Sequence, residues 1–217
     1  MAVKAVIFDI GGVLAHNVWD HLLLDDNGVM SRFPQLHKAE LERIGKVLWD
    51  AFGYVPEYPN TWQELEERYW KMFIRYFKGY LPETAKPDDF IQMTDSFIRP
   101  ILGMKSVLKK LQLKGIKLAI CSNNNEFWFR RQMDQLGLWR FFDSDNVILS
   151  CRIGVSKSSP RFEMFHAALS ALSLPGDNCI FVDDREGNIE RARQCGMQGI
   201  LFLEAEQLDS KLKKLGL

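Results

Sequence analysis

The stretch Ala5-Val6-Ile7-Phe8-Asp9-Ile10-Gly11-Gly12-Val13-Leu14 decides how the chain is read. Four apolar residues followed by a carboxylate and then a glycine pair describe a fully buried strand that stops at an acid. In an open parallel sheet, ligands bind just beyond the carboxyl ends of the strands, so Asp9 stands where chemistry is commonly done. Gly11 and Gly12 let the backbone turn tightly and approach whatever Asp9 contacts. Taken alone, the stretch fits equally an Asp9 that only caps the next turn, and the rest of the chain must decide.

With 217 residues the chain is long enough for one domain with a large core, or a core with a sizeable insertion. Its 28 basic and 28 acidic residues balance, which disfavours binding to nucleic acid or to an anionic membrane. Cys121, Cys151, Cys179 and Cys195 lack C-x-x-C spacing and read as small buried thiols of a reducing compartment. The N-terminal apolar run is too short for a signal peptide and no run approaches a membrane span, so a cytoplasmic location is expected.

Working outward from Leu14, residues 15–98 are rich in Trp, Phe, Tyr and Leu with charges between them, and they predict a helical insert. Helical spacing covers Lys38 to Phe52 and Thr61 to Tyr80, the second opening on Thr61 and Glu64 as a capping box. Pro56, Pro59, Pro82 and Pro87 divide the insert, and Asp88 is expected to cap a helix running towards Arg99. The aromatics Trp19, Trp49, Trp62, Tyr69 and Trp70 are expected mostly in the core, with a minority left for a pocket.

From Pro100 the pattern alternates between strand and helix. A helix over Lys105 to Leu113 is stopped by Gly115, and the strand Ile116 to Cys121 runs into Ser122-Asn123-Asn124. A helix carrying Phe127, Phe129 and Met133 follows, then a strand over Asn146 to Ser150, Lys157, and a helix from about Pro160 to Leu172. The strand Cys179 to Val182 carries Asp183-Asp184 at its tip, before a helix to Cys195 and a last strand from Gly199 to Phe202. This alternation predicts an α/β fold, a Rossmann-like parallel sheet with an inserted helical cap domain. The expected division is a core of residues 1–14 and 99–217 and a cap of residues 15–98.

Asp9, Ser122 and Asp184 thus end three strands, and Lys157 follows a fourth after a short loop. Each is weak alone, since Ser commonly caps a helix and an Asp pair commonly faces a helix dipole. One sheet edge gathers all four. Two carboxylates, a hydroxyl and a cation at one edge suit a phosphoryl group and a divalent metal.

At this level the chain resembles the haloacid dehalogenase-like hydrolases, over residues 1–14 and about 100–205. Four short motifs stand in order, F-D-I-G-G-V-L from Phe8, I-C-S-N-N from Ile120, K-S-S-P-R-F from Lys157 and F-V-D-D-R-E-G-N from Phe181. The resemblance implies a cap domain that covers the site and selects the substrate, a small phosphorylated molecule. It implies Asp9 as the nucleophile that forms an aspartyl-phosphate. Ser122 and the backbone around Asn123 would bind a phosphoryl oxygen, Lys157 would neutralise charge, and Asp9, Asp184 and the carbonyl of Gly11 would hold Mg2+.

Phosphatases of that family mostly carry a second aspartate, the general acid and base, where this chain has Gly11. Such a group is worth roughly 10²- to 10⁴-fold in rate. Its absence points to substrates whose leaving groups need little protonation, such as acyl phosphates or anomeric sugar phosphates, or to another proton donor, His16 or a cap residue. His16 is also expected to contact the substrate, with Asn17, Trp19 and Asp20 as further candidates. Asn188 stands where many members have an acid, and Ser158 replaces a proline that would stiffen the Lys157 loop. Two other functions compete: a metal-independent 2-haloacid dehalogenase, which Gly11 fits, and a non-catalytic binding or regulatory protein on the same fold.

Overall fold

The computed structural model describes residues 2–25, 27–54 and 61–217. The expected breaks at Pro56 and Pro59 lie outside the described residues. Among these, five strands form one sheet: β1 (Ala5–Phe8), β2 (Lys117–Ser122), β3 (Val147–Leu149), β4 (Cys179–Asp183) and β5 (Gln198–Leu201). Their order is β3-β2-β1-β4-β5, and every neighbouring pair is parallel. The stretch that opened the reading is therefore the central strand, buried along its whole length. A strand covered on both faces has no polar alternation, which is why its sequence is a continuous apolar run.

Successive side chains still separate by face. Val6 and Phe8 join one core with Leu118, Ile120, Ile180 and Val182, while Ala5 and Ile7 join a second core with Ala119, Cys121 and Phe181. Between β1 and β2 come α1 (Val18–Leu24), α2 (Val29–Arg32), α3 (Lys38–Phe52), α4 (Trp62–Tyr76), α5 (Pro87–Phe97) and α6 (Met104–Leu113). They pack on the Phe8 face. Then come α7 (Glu126–Gln135), the single turn α8 (Ser150–Ile153), α9 (Glu163–Leu172), α10 (Glu186–Gln194) and α11 (Ala205–Lys214). Helices α9 and α10 cover the Ile7 face through Phe165, Ala168, Ile189 and Ala192.

Local expectations hold where capping and periodicity agree. Helix α3 covers the predicted span, and Thr61 Oγ1 accepts the amide of Glu64 at the start of α4. Helix α5 differs: Asp88 lies within it, Lys86 is the capping position, Asp89 accepts the Lys86 amide at 3.0 Å, and Pro87 occupies the first turn. Helix α4 stops at Tyr76 because the chain turns at Gly79, whose φ is +91°. Strand β3 ends at Leu149, since Ser150 opens α8 and its hydroxyl donates to the carbonyl of Gly53 at 2.8 Å. The sequence pattern marks no helix at α1, α2, α8 or α11.

The insert is fastened to the sheet-side helices by charge as well as by apolar packing. Arg131 of α7 donates to both carboxylate oxygens of Glu66 in α4, at 2.7 and 2.9 Å, and to Asp95 in α5 at 2.7 Å. The guanidinium also lies over the Trp62 ring. All four cysteines are free, three of them buried. No described helix is long and apolar enough to cross a membrane.

Candidate active site

The site begins where β1 ends. Phe8 is level with Ile120 of β2 and Val182 of β4, and the Asp9 amide extends the ladder by donating to the Val182 carbonyl at 3.0 Å. Asp9, Ser122, Asp183 and Asp184 consequently leave the sheet at one edge. Asp9 Oδ1 accepts the amide of Ile10 at 2.7 Å, and Oδ2 lies 2.7 Å from Lys157 Nζ. The same ammonium donates to Asp183 Oδ2 at 2.6 Å. Lys157 is 1% exposed, so the pair of carboxylates completes its environment.

The Lys157 loop is pinned despite Ser158 standing in place of a proline. The Lys157 amide donates to Asn123 Oδ1 at 2.9 Å, while Arg191 Nε donates to its carbonyl at 2.7 Å. Arg191 also bonds the Ser159 carbonyl and stacks 4.5 Å from the Phe162 ring, and the Ser156 and Ser158 hydroxyls pair at 2.6 Å. Hydrogen bonds thus supply the order a proline ring would have given. Arg191 was missed in the sequence, although it lies three residues after Asn188 and hence on the same face of α10.

Asp183 and Asp184, adjacent in sequence, do different work. Asp183 is fully buried and satisfied: besides Lys157 it accepts the Arg185 amide at 2.9 Å and the Asn188 side-chain amide at 3.0 and 3.1 Å. Asp184 is exposed, and its carboxylate forms with those of Asp9 and Asp183 a group whose oxygens all lie within 4.8 Å. Gly12 makes room for it. A Cβ at Gly12 would sit 2.4 Å from Asp184 Oδ2, and its φ of +76° also selects glycine. A Cβ at Gly11, by contrast, would meet nothing within 4 Å.

The electrostatics follow from this crowding. Burial raises the Asp9 carboxyl to about 6, with Lys157 opposing and Asp183 adding to the rise. Burial and Asp183 also raise Asp184. Burial pulls the Lys157 ammonium down, yet Asp9 and Asp183 outweigh it and hold the group above its ordinary value. Three carboxylates with one buried cation leave surplus negative charge at the edge. Hard oxygen donors in that state fit Mg2+, which is commonly held by one or two carboxylates.

A cavity of about 270 Å³ opens above these groups. Asp9, Gly11, Asn123, Lys157 and Asp184 form its sheet side, and Asn17, Trp19, Asp20, Trp49 and Tyr54 of the insert form its opposite wall. Arg185 and Asn188 complete the rim. Ser122 is buried beneath it and hydrogen-bonds Asp9. Trp19 and Trp49 are tilted against Trp128, with ring centroids 5.5 and 6.5 Å away, while Tyr69 and Trp70 lie fully in the core as expected. Tyr54, unmarked in the sequence, accepts Trp49 Nε1 at 2.9 Å.

His16 is not among these residues, which corrects its expected place beside the substrate. It lines a separate cavity of about 80 Å³ with His21, Asp25, Phe97 and Arg99. The turn after Gly12 closes on itself, Gly12 and Ala15 bonding Ala15 and Ile10 carbonyls, and the His16 amide is then tied to the Arg99 carbonyl at 2.9 Å. Burial, His21 and Arg99 all hold the His16 imidazole below its ordinary value.

The model of the haloacid dehalogenase-like hydrolases matches residues 3–196. The chain belongs to that family. A flavin mononucleotide hydrolase of Arabidopsis thaliana is 29% identical over 115 residues, 53% of this chain. A sesquiterpene phosphatase of Aspergillus oryzae is 25% identical, covering 98% of this chain and 96% of its own. The chain spans less than half the length of some curated relatives, 45% of the Arabidopsis protein and 39% of a rat bifunctional epoxide hydrolase. A family enzyme from Bacteroides thetaiotaomicron, solved as a magnesium complex, shares the fold, with a TM-score of 0.68 and 18% identity over 94% of this chain and 95% of that one.

Proposed function

We propose that the protein is a Mg2+-dependent phosphatase of small phosphorylated metabolites that works through an aspartyl-phosphate on Asp9. The observation that carries this reading is the Asp9–Lys157–Asp183 chain beside Asp184, an edge with excess negative charge facing a closed-sided cavity. Asp9, Asp184 and the Gly11 carbonyl would hold Mg2+, whose charge offsets that of the phosphoryl oxygens when it is bound. Asp9 would attack phosphorus in line, with one oxygen oriented by the Ile10 amide. Lys157 would neutralise the charge that develops on the transferring group, and Ser122 with the Asn123 backbone would bind one of its oxygens.

Residues 15–98 act in this reading as the cap, because Asn17, Trp19, Asp20, Trp49 and Tyr54 bound the cavity where the leaving group must lie. Substrate choice then rests on the cap wall. The sesquiterpene phosphatase relative supports the reaction class, and the Bacteroides enzyme of the same fold binds magnesium. Dehalogenation accommodates Gly11, but without a metal the three clustered carboxylates would repel one another for no return.

The test is hydrolysis of a phosphate panel running from acyl and sugar 1-phosphates to simple alkyl phosphates, with and without Mg2+. Turnover should require the metal and vanish in Asp9→Asn. Halide release from 2-haloacids without metal would establish the dehalogenase instead, and metal binding without any turnover would leave a binding protein.

A further inference from the structure

Hydrolysis through Asp9 needs a proton twice, once for the leaving oxygen and once removed from the attacking water, and Gly11 has no group for either. His16 is in another cavity. Among the groups that line the reacting cavity, Asp9 and Asp184 are committed to attack and to the metal, and Lys157 is shared between two carboxylates. The amides of Asn17, Asn123 and Asn188 do not exchange protons at useful rates, and Arg185 does not deprotonate. The Tyr54 hydroxyl already accepts Trp49 Nε1, and a phenol is a poor base for the water step.

Among the described lining residues, one carboxyl remains. We infer that Asp20, on the cap wall of the cavity, is the general acid and base that replaces the one absent at Gly11. The inference rests on the phosphatase reading above. Asp20 lies in the first turn of α1, and Asn17 Nδ2 donates to its Oδ2 at 2.7 Å. That bond orients the carboxyl of the exposed Asp20, while Oδ1 has no hydrogen bond from the described residues.

As Asp9 Oδ bonds to phosphorus, the bond from phosphorus to the leaving oxygen breaks with its electron pair on that oxygen, which takes the proton of the Asp20 carboxyl. The alcohol leaves. The Asp20 carboxylate then takes a proton from water as the water oxygen bonds to phosphorus, and the Asp9–phosphorus bond breaks with its pair returning to Asp9. Inorganic phosphate departs, and Asp20 is protonated again.

The structure also supplies the control, since a Cβ at Gly11 meets nothing within 4 Å and a carboxyl can be placed there. Asp20→Asn should lower turnover of alkyl phosphates about 10²-fold or more. With p-nitrophenyl phosphate, whose leaving group needs no proton, the first half-reaction survives and the second slows, so Asp20→Asn should release a burst of nitrophenol stoichiometric with enzyme. Gly11→Asp in the Asp20→Asn background should restore alkyl phosphate turnover and abolish the burst. Unchanged alkyl turnover in Asp20→Asn, or an equal loss on all substrates without burst or rescue, overturns the assignment. If Asp9→Asn is inactive in that case, the phosphatase reading stands without Asp20; if Asp9→Asn retains turnover, both fall.

Discussion

Two cations in this molecule, the buried Lys157 and the partly buried Arg131, are each held between two carboxylates, and they do different things. Lys157 lies between Asp9 and Asp183 at the sheet edge, and Arg131 lies between Glu66 and Asp95 where the insert meets α7. In the Arg131 group, Nε donates to both Glu66 oxygens and Nη1 to Asp95, Gln135 shares Asp95, and the guanidinium lies over the Trp62 ring. The Lys157 group is open on one side, because Asp184 adds a third carboxylate and the cavity begins there. One pairing ties two helices of the insert to α7, and the other stands beside a third carboxylate at the wall of a cavity.

Removing either cation should have the largest effect. Lys157→Met should cost about 10²-fold or more in turnover, by losing charge stabilisation of the transferring group. It should also cost about 3–5 kcal/mol of stability without metal, since Asp9 and Asp183 are left unopposed. Arg131→Met should cost a comparable about 3–5 kcal/mol by stranding Glu66, while the folded fraction keeps its kcat. Denaturant unfolding alongside single-turnover kinetics separates the two. A loss of kcat in folded Arg131→Met would mean that the fastening also shapes the site.

A smaller effect comes from pH. Burial raises Glu66 to about 7 from 4.5, against the pull of Arg131 and with Asp95 adding to the rise. The folded protein therefore favours the protonated acid. This contribution is fully present below about pH 4.5 and is lost as pH rises through about 7, amounting to on the order of 1–3 kcal/mol. Melting temperatures across this window should fall more steeply for the parent than for Glu66→Gln, and identical slopes would show that Arg131 keeps Glu66 ionised throughout.

The smallest contrast lies within the glycine pair. Gly12→Ala forces a Cβ into the left-handed region and against Asp184, so it should cost about 1–2 kcal/mol and weaken Mg2+ binding by calorimetry. Gly11→Ala, with open space around it, should stay within about 0.5 kcal/mol and leave the Mg2+ isotherm unchanged. Equal effects would place Asp184 outside the metal's reach.

Much of this was legible in the chain because its signals are local. The apolar run of β1, the cap at Thr61, the helix over Lys38–Phe52 and the polar residues that end three strands each follow from spacing and turn chemistry over a few residues. Asp9, Ser122, Lys157 and Asp184 could be named for the same reason: a parallel sheet brings its strand ends to one edge whatever the intervening chain does. The roles of Asp183 and Asp184 could not be told apart, since only packing decides which of two adjacent carboxylates is buried against Lys157.

The α/β layering, the central strand and the polar residues of the sheet edge are written in hydrophobic period and short turns, which act over a few residues. Proximity to the first loop marked Asn17, Trp19 and Asp20, whereas the rest of the cavity wall depends on tertiary packing. That packing placed His16 beside Arg99, brought Trp49 and Tyr54 to the cavity, set Arg191 on the Lys157 loop and left Asp20 on the cavity wall. Those placements depend on how helices pack across long separations in the chain, where many apolar contacts and a few buried ion pairs act together and no local pattern records the result.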